Sequence, residues 1–159
     1  MKKLLLVLTI LFSVSVLSAQ VNENALGVRF GYGGGLSYQH GLNKTNRIEA
    51  NLAVAISTYY TDIKVAAAYQ WVFEVSSGLN VYVGPSAMVG IHSFDDADRD
   101  KVKGEQGLFI RGGGQIGVDY NFQSIPIQVS IDAMPQFAIL NAIDNDFTFD
   151  PALGIRWVF

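Results

Sequence analysis

The chain has no cysteine, only four prolines among 159 residues, and only two histidines, His40 and His92. Without cysteine there can be no disulfide, no Cys/His zinc cluster and no lipid-modified cysteine near the N-terminus. Charge is also scarce: Asp, Glu, Lys and Arg make up 16% of the residues, with a formal net charge of −3. An acidic excess argues against a nucleic-acid partner. Missing, too, is any convincing apolar repeat of 3.6 residues, so helices are not expected. Glycine is plentiful at sixteen residues, and half the chain is hydrophobic. Sparse proline with abundant glycine fits a close-packed β architecture better than a disordered segment.

The one long apolar run lies at the N-terminus. Lys2 and Lys3 precede a stretch over 4–17 that is broken only by Thr9, Ser13 and Ser15, and Ser18 and Ala19 follow. This layout reads as a secretory signal peptide over 1–19, with cleavage after Ala19. The run is short for a membrane anchor, which needs about 20 apolar residues. Residues 20–159 then form one domain, and losing Lys2 and Lys3 takes the charge from −3 to −5. An exported chain without disulfides must draw its stability from a hydrogen-bonded framework.

Period two recurs through the rest of the chain and predicts eight strands, over 25–31, 35–42, 47–58, 63–75, 79–91, 107–122, 125–137 and 147–159. Gly33-Gly34-Gly35 is expected to form the turn between the first two, and Ser76-Ser77-Gly78 joins the fourth to the fifth. In the third strand Ile48, Ala50, Leu52, Val54 and Ile56 share one face, opposite Arg47, Glu49 and Asn51. In the fourth, Ile63, Val65, Ala67, Tyr69, Trp71 and Phe73 oppose Lys64, Gln70 and Glu74.

A soluble sandwich alternates in the same way, with its apolar face inward. The composition of the polar face favours the reverse arrangement, a narrow barrel whose apolar face meets lipid. That face is rich in Gly, Ala and Ser, and its charges balance. Arg29, Arg47, Lys64, Arg111 and Arg156 are matched in number by Glu49, Glu74, Asp119, Asp132 and Asp150. A closed lumen requires such balance, because an unpaired buried charge costs several kcal/mol. A solvated sheet face does not require it.

The fold class expected is therefore an all-β, eight-stranded antiparallel up-and-down transmembrane barrel. If both ends of the chain lie on one side, aromatics gather where descending strands reach it: Tyr69, Trp71 and Phe73; Tyr120 and Phe122; Trp157 and Phe159. Amphipathic rings favour that interfacial level. A sparser opposite girdle is expected from Tyr32, Tyr60, Phe137 and Phe149. The turns on the first side are short, whereas the longest connection, 92–106, falls on the other.

Three segments carry a resemblance to a known group: Tyr69-Gln70-Trp71-Val72-Phe73, Gly112-Gly113-Gly114-Gln115-Ile116-Gly117 and Ala152-Leu153-Gly154-Ile155-Arg156-Trp157-Val158-Phe159. They resemble the small eight-stranded outer-membrane barrels, that is, the OmpA-type membrane domain, its OmpX-like relatives and the Bacteroidetes-type "outer membrane protein beta-barrel" proteins. The resemblance implies an outer-membrane location with both termini periplasmic. It also implies that Leu153, Ile155, Trp157 and Phe159 form the signal read by the barrel-assembly machinery. Outer-membrane lipids are the expected partners, and a monomer the expected state. No periplasmic peptidoglycan-binding domain is expected beside the barrel.

Motifs for chemistry are few. Gly112-x-Gly114-x-x-Gly117 matches a dinucleotide fingerprint as a string, but Ile116, Val118 and Tyr120 continue the strand where a helix should begin. Asp96-x-Asp98-x-Asp100 opens like a calcium loop, yet Lys101 stands at the required glycine and Gly107 at the closing carboxylate. No metal or cofactor is expected. His92, near Ser86, Ser93 and Asp95, leaves a rim-sited lipid-modifying hydrolase as the alternative reading. A soluble periplasmic ligand-binding barrel is a further one. No open pore is expected, since side chains just fill an eight-stranded lumen.

Overall fold

The computed structural model describes residues 21–56, 60–94, 107–140 and 146–159. The expected signal peptide and the Asp96–Asp98–Asp100 segment lie outside these residues. Eight strands follow one another: β1 Asn24–Gly31, β2 Gly33–Gly41, β3 Asn46–Ile56, β4 Tyr60–Ser76, β5 Leu79–Phe94, β6 Gly107–Asn121, β7 Ile127–Leu140 and β8 Phe147–Val158. Each pairs antiparallel with the next, and β8 returns to β1 from Ala25↔Val158 to Phe30↔Leu153. Closure removes both free edges, so every strand has a neighbour on each side.

Local chemistry explains the joins. At the β1–β2 tip the chain turns through Tyr32 and Gly33, whose φ of 106° is costly for any residue with a Cβ. The turn is tighter than the glycine run suggested, because Gly34 and Gly35 already pair with Phe30 and Arg29. In the β2–β3 turn, the Asn43 side-chain oxygen accepts from the backbone N–H groups of Thr45 and Asn46.

Exposure follows strand parity closely. Ile48, Leu52 and Val54 are 41%, 48% and 42% exposed on the outer face, while Arg47, Glu49 and Asn51 are buried inside. This overturns the soluble ligand-binding alternative, which requires the opposite polarity. The interior also holds some large apolar groups. Tyr82, Met88, Phe109 and Met134 point inward and are almost wholly buried.

At the loop end β4, β5 and β7 run farther than expected, β7 reaching Leu140. β4 begins at Tyr60 and β5 ends at Phe94, because pairing continues through Thr61↔Ser93 and Asp62↔His92. The extension carries Asp62 and His92 into the interior.

Candidate functional site: the polar lumen

The barrel interior gathers nearly all the buried polar groups, in two layers. The layer nearer the chain termini centres on Glu49, which is wholly buried between β2 and β4. Its carboxylate accepts from Gln39 Nε2 at 2.7 Å, Gln70 Nε2 at 2.9 Å and Asn51 Nδ2 at 2.9 Å. Arg156 lies 3.2 Å away and itself donates to the hydroxyls of Ser37 and Ser130, each at 2.8 Å. Arg47 donates to Asp119 at 2.6 Å and to the Gln70 side-chain oxygen. Its guanidinium also rests over the Tyr82 ring, 4.7 Å from the centroid.

The layer nearer the loops centres on Arg29. It donates to Asp132 at 2.6 Å and to Asp150 at 3.3 Å. Asp150 also lies 3.8 Å from the Lys64 ammonium, which donates to the Tyr32 carbonyl. Arg111 donates to Thr148 Oγ1 at 3.4 Å. Tyr82 links the layers: its ring leans over Gly117, and its hydroxyl donates to Asp132 at 3.3 Å.

Nine of the ten charged residues expected to face inward are buried there. Glu74 is not. It stands half-buried at the terminal rim, just before the register shift between Glu74 and Ser76. Asp62 holds an interior place in its stead, in close contact with Nδ1 of His92. Counting Asp62, five carboxylates face five Arg or Lys groups in the interior among the described residues. Sequence reasoning missed Asp62 because the fourth strand was expected to start at Ile63, three residues beyond its actual start. The neutral members of the network share the inward parity of the charges: the alternation already places Gln70 on the polar face, and the same signal reaches Gln39, Gln115, Gln128 and Gln136.

His92 sits at the loop end of the lumen, two residues before the end of β5 and opposite Gly107 at the start of β6. It is buried, bonded to Asp62 and stacked on Phe109 with centroids 4.1 Å apart. Ser86 lies six residues down the same strand, about 20 Å at strand rise, and its hydroxyl accepts from Gln136. Ser93 points to the opposite face. Neither serine is brought to His92, so the contact that the hydrolase alternative needs is missing at both; Asp95 lies outside the described residues. His40 is exposed at the terminal end, 3.0 Å from Asn24 Oδ1. Among the described residues no group of three or more metal-ligating side chains comes together.

Outside, aromatic pairs band the terminal end. Tyr69 and Trp71 meet edge-on at 5.4 Å, as do Tyr120 and Phe122 at 5.0 Å, with Phe73, Trp157 and Phe159 exposed beside them. At the loop end Tyr32, Phe137 and Phe149 are exposed, and Phe137 packs on Phe147 at 5.0 Å. The side chain of Tyr60 lies outside the described residues. Leu153, Ile155, Trp157 and Phe159 all face outward on or beside β8.

A closed eight-stranded barrel, apolar and aromatic-banded outside and charge-paired within, is the architecture of the small membrane-spanning barrels. Solved structures agree at the level of the fold. Neisserial surface protein A superposes with a TM-score of 0.62 at 14% identity, over 86% of this chain and 93% of its own. The Yersinia pestis outer membrane protein Ail, in a phospholipid bilayer nanodisc, gives a TM-score of 0.50 at 16% identity, over 87% of this chain and all of its own. No protein-family model and no curated protein sequence matches the chain.

Proposed function

We propose that this protein is an integral outer-membrane barrel with a structural or surface-interaction role and a closed lumen. The observation that carries this reading is the division of its side chains. The outward face is apolar around the ring and banded by aromatics, whereas the charges are buried and paired within. In water such an exterior would be a large aggregation liability; in a bilayer it is the required surface. Arg47 and Arg156 reach across the lumen to Asp119 on β6 and Glu49 on β3, which favours a filled interior over an open pore. The His92–Asp62 pair then acts as part of the interior packing, and no catalytic role is assigned to it.

The finer reading follows from the resemblance to OmpA-type, OmpX-like and Bacteroidetes-type barrels. Residues 1–19 direct export, both termini lie in the periplasm, the loop-end connections face the exterior, and the monomer contacts outer-membrane lipid. The outward Leu153, Ile155, Trp157 and Phe159 serve as the assembly signal. Expression of the full chain in a Gram-negative host tests this. The mature protein should begin at Gln20 and fractionate with the outer membrane, and deletion of Phe159 should lower its level there. Recovery of the intact chain as soluble periplasmic protein would overturn the membrane reading, and normal outer-membrane levels without Phe159 would overturn the assembly role.

A further inference from the structure

We infer that residues 21–23, just before β1, form a plug across the terminal-end mouth of the lumen. The segment is anchored where β1 starts: Asn24 and Phe159 exchange two backbone hydrogen bonds, at 3.1 and 3.0 Å. The Glu23 carbonyl accepts from Gly41 N–H at 2.9 Å, which holds the chain against β2. From there the contacts move to the far wall. Asn22 Nδ2 donates to Asn121 Oδ1, on β6, at 2.6 Å. Val21 packs on the buried pair Val72, of β4, and Tyr82, of β5.

In the closed order of strands, β5 lies opposite β1. Three extended residues reach about 10 Å, the scale of a lumen that side chains just fill. The segment therefore crosses the mouth and does not follow its rim. Two further observations agree. A Cβ at Gly41 would lie 2.6 Å from the Asn22 carbonyl oxygen and 3.1 Å from Val21 Cγ1, so the residue at 41 is one that leaves the segment room. Asn121 also donates to Asp119 at 3.3 Å, which ties the plug to the Arg47–Asp119 pair. The plug shields that pair from water at the terminal end.

This inference goes beyond the membrane reading and is tested separately from it, on the full chain folded in detergent. The native protein has no cysteine, so a single thiol reports cleanly. Val72→Cys lies under the plug and Lys44→Cys lies on the exposed turn; a hydrophilic thiol reagent should label the first about tenfold more slowly, or slower still, as expected for a site reached only by local opening. Deleting Val21 and Asn22 removes no strand pairing, and should raise Val72→Cys labelling about tenfold while the barrel stays folded. Ala25→Cys, a smaller change of volume on the facing wall, repeats both measurements should Val72→Cys not fold. The plug is refuted if a reporter reacts as fast as Lys44→Cys with the segment intact. It is equally refuted if labelling stays slow in a folded barrel that lacks the segment.

Discussion

Replacing Glu49 by alanine should destabilise the folded barrel by about 3–5 kcal/mol, the usual cost of stranding one member of a buried ion pair. The structure shows why the loss should be large. The Glu49 side chain is fully buried, and its removal leaves Arg156 charged in the interior, 3.2 Å from an empty site. It also removes a hydrogen bond from three amides, those of Gln39, Asn51 and Gln70, of which Gln70 keeps Gln115 Oε1 as a second acceptor. A hydrogen bond to a charged group contributes about 1.5–3 kcal/mol, so three of them with the ion pair would sum to more than the expected loss. Water entering so polar a cavity offsets part of it. Glu49→Gln, which keeps the shape and one acceptor oxygen, should cost less than Glu49→Ala. Adding Arg156→Met to Glu49→Ala should recover part of the loss, because the stranded charge is then gone. Urea unfolding of the barrel in lipid vesicles measures all three. A Glu49→Ala loss below about 1 kcal/mol, the scale of an exposed ion pair, would refute the buried-network reasoning. So would a double variant no more stable than the single one.

Two further outcomes test the outer face and the lumen packing. Leu52→Arg places a charge on the apolar face of β3, and near the bilayer midplane it should cost about 2–4 kcal/mol in vesicles; no loss there would count against lipid contact at that position. Gly117→Val puts a Cβ 2.6 Å from both the Tyr82 ring and the Asp132 Cβ. Overpacking of that kind costs about 1–3 kcal/mol, and adding Tyr82→Ala should relieve it. Additive losses in the double variant would show that the two side chains do not compete for space.

The division between legible and illegible features runs through particular residues. Alternation is a local property, set by the backbone pleat, so the outward side of Ile48, Leu52 and Trp157 could be read directly from the chain. The inward side of Arg29, Glu49 and Arg156 followed by the same rule. Strand ends were less legible, because they depend on where a neighbour stops pairing. Asp62 and His92 enter the lumen only because β4 and β5 remain paired to Tyr60↔Phe94. Glu74 has inward parity, yet it stays at the rim beside a register shift that no local pattern announces.

By itself, then, the sequence determined the strand count, the two faces and the balance of charge, since each is written in residues two apart. Only the closed barrel decided who meets whom. Arg29 reaches Asp132 across 103 residues of chain, and Tyr82 finds room over Gly117 on the next strand. The segment before β1 crosses to the opposite wall at Val72. Such partners depend on strand order and stagger around the ring, and no spacing along one strand encodes them.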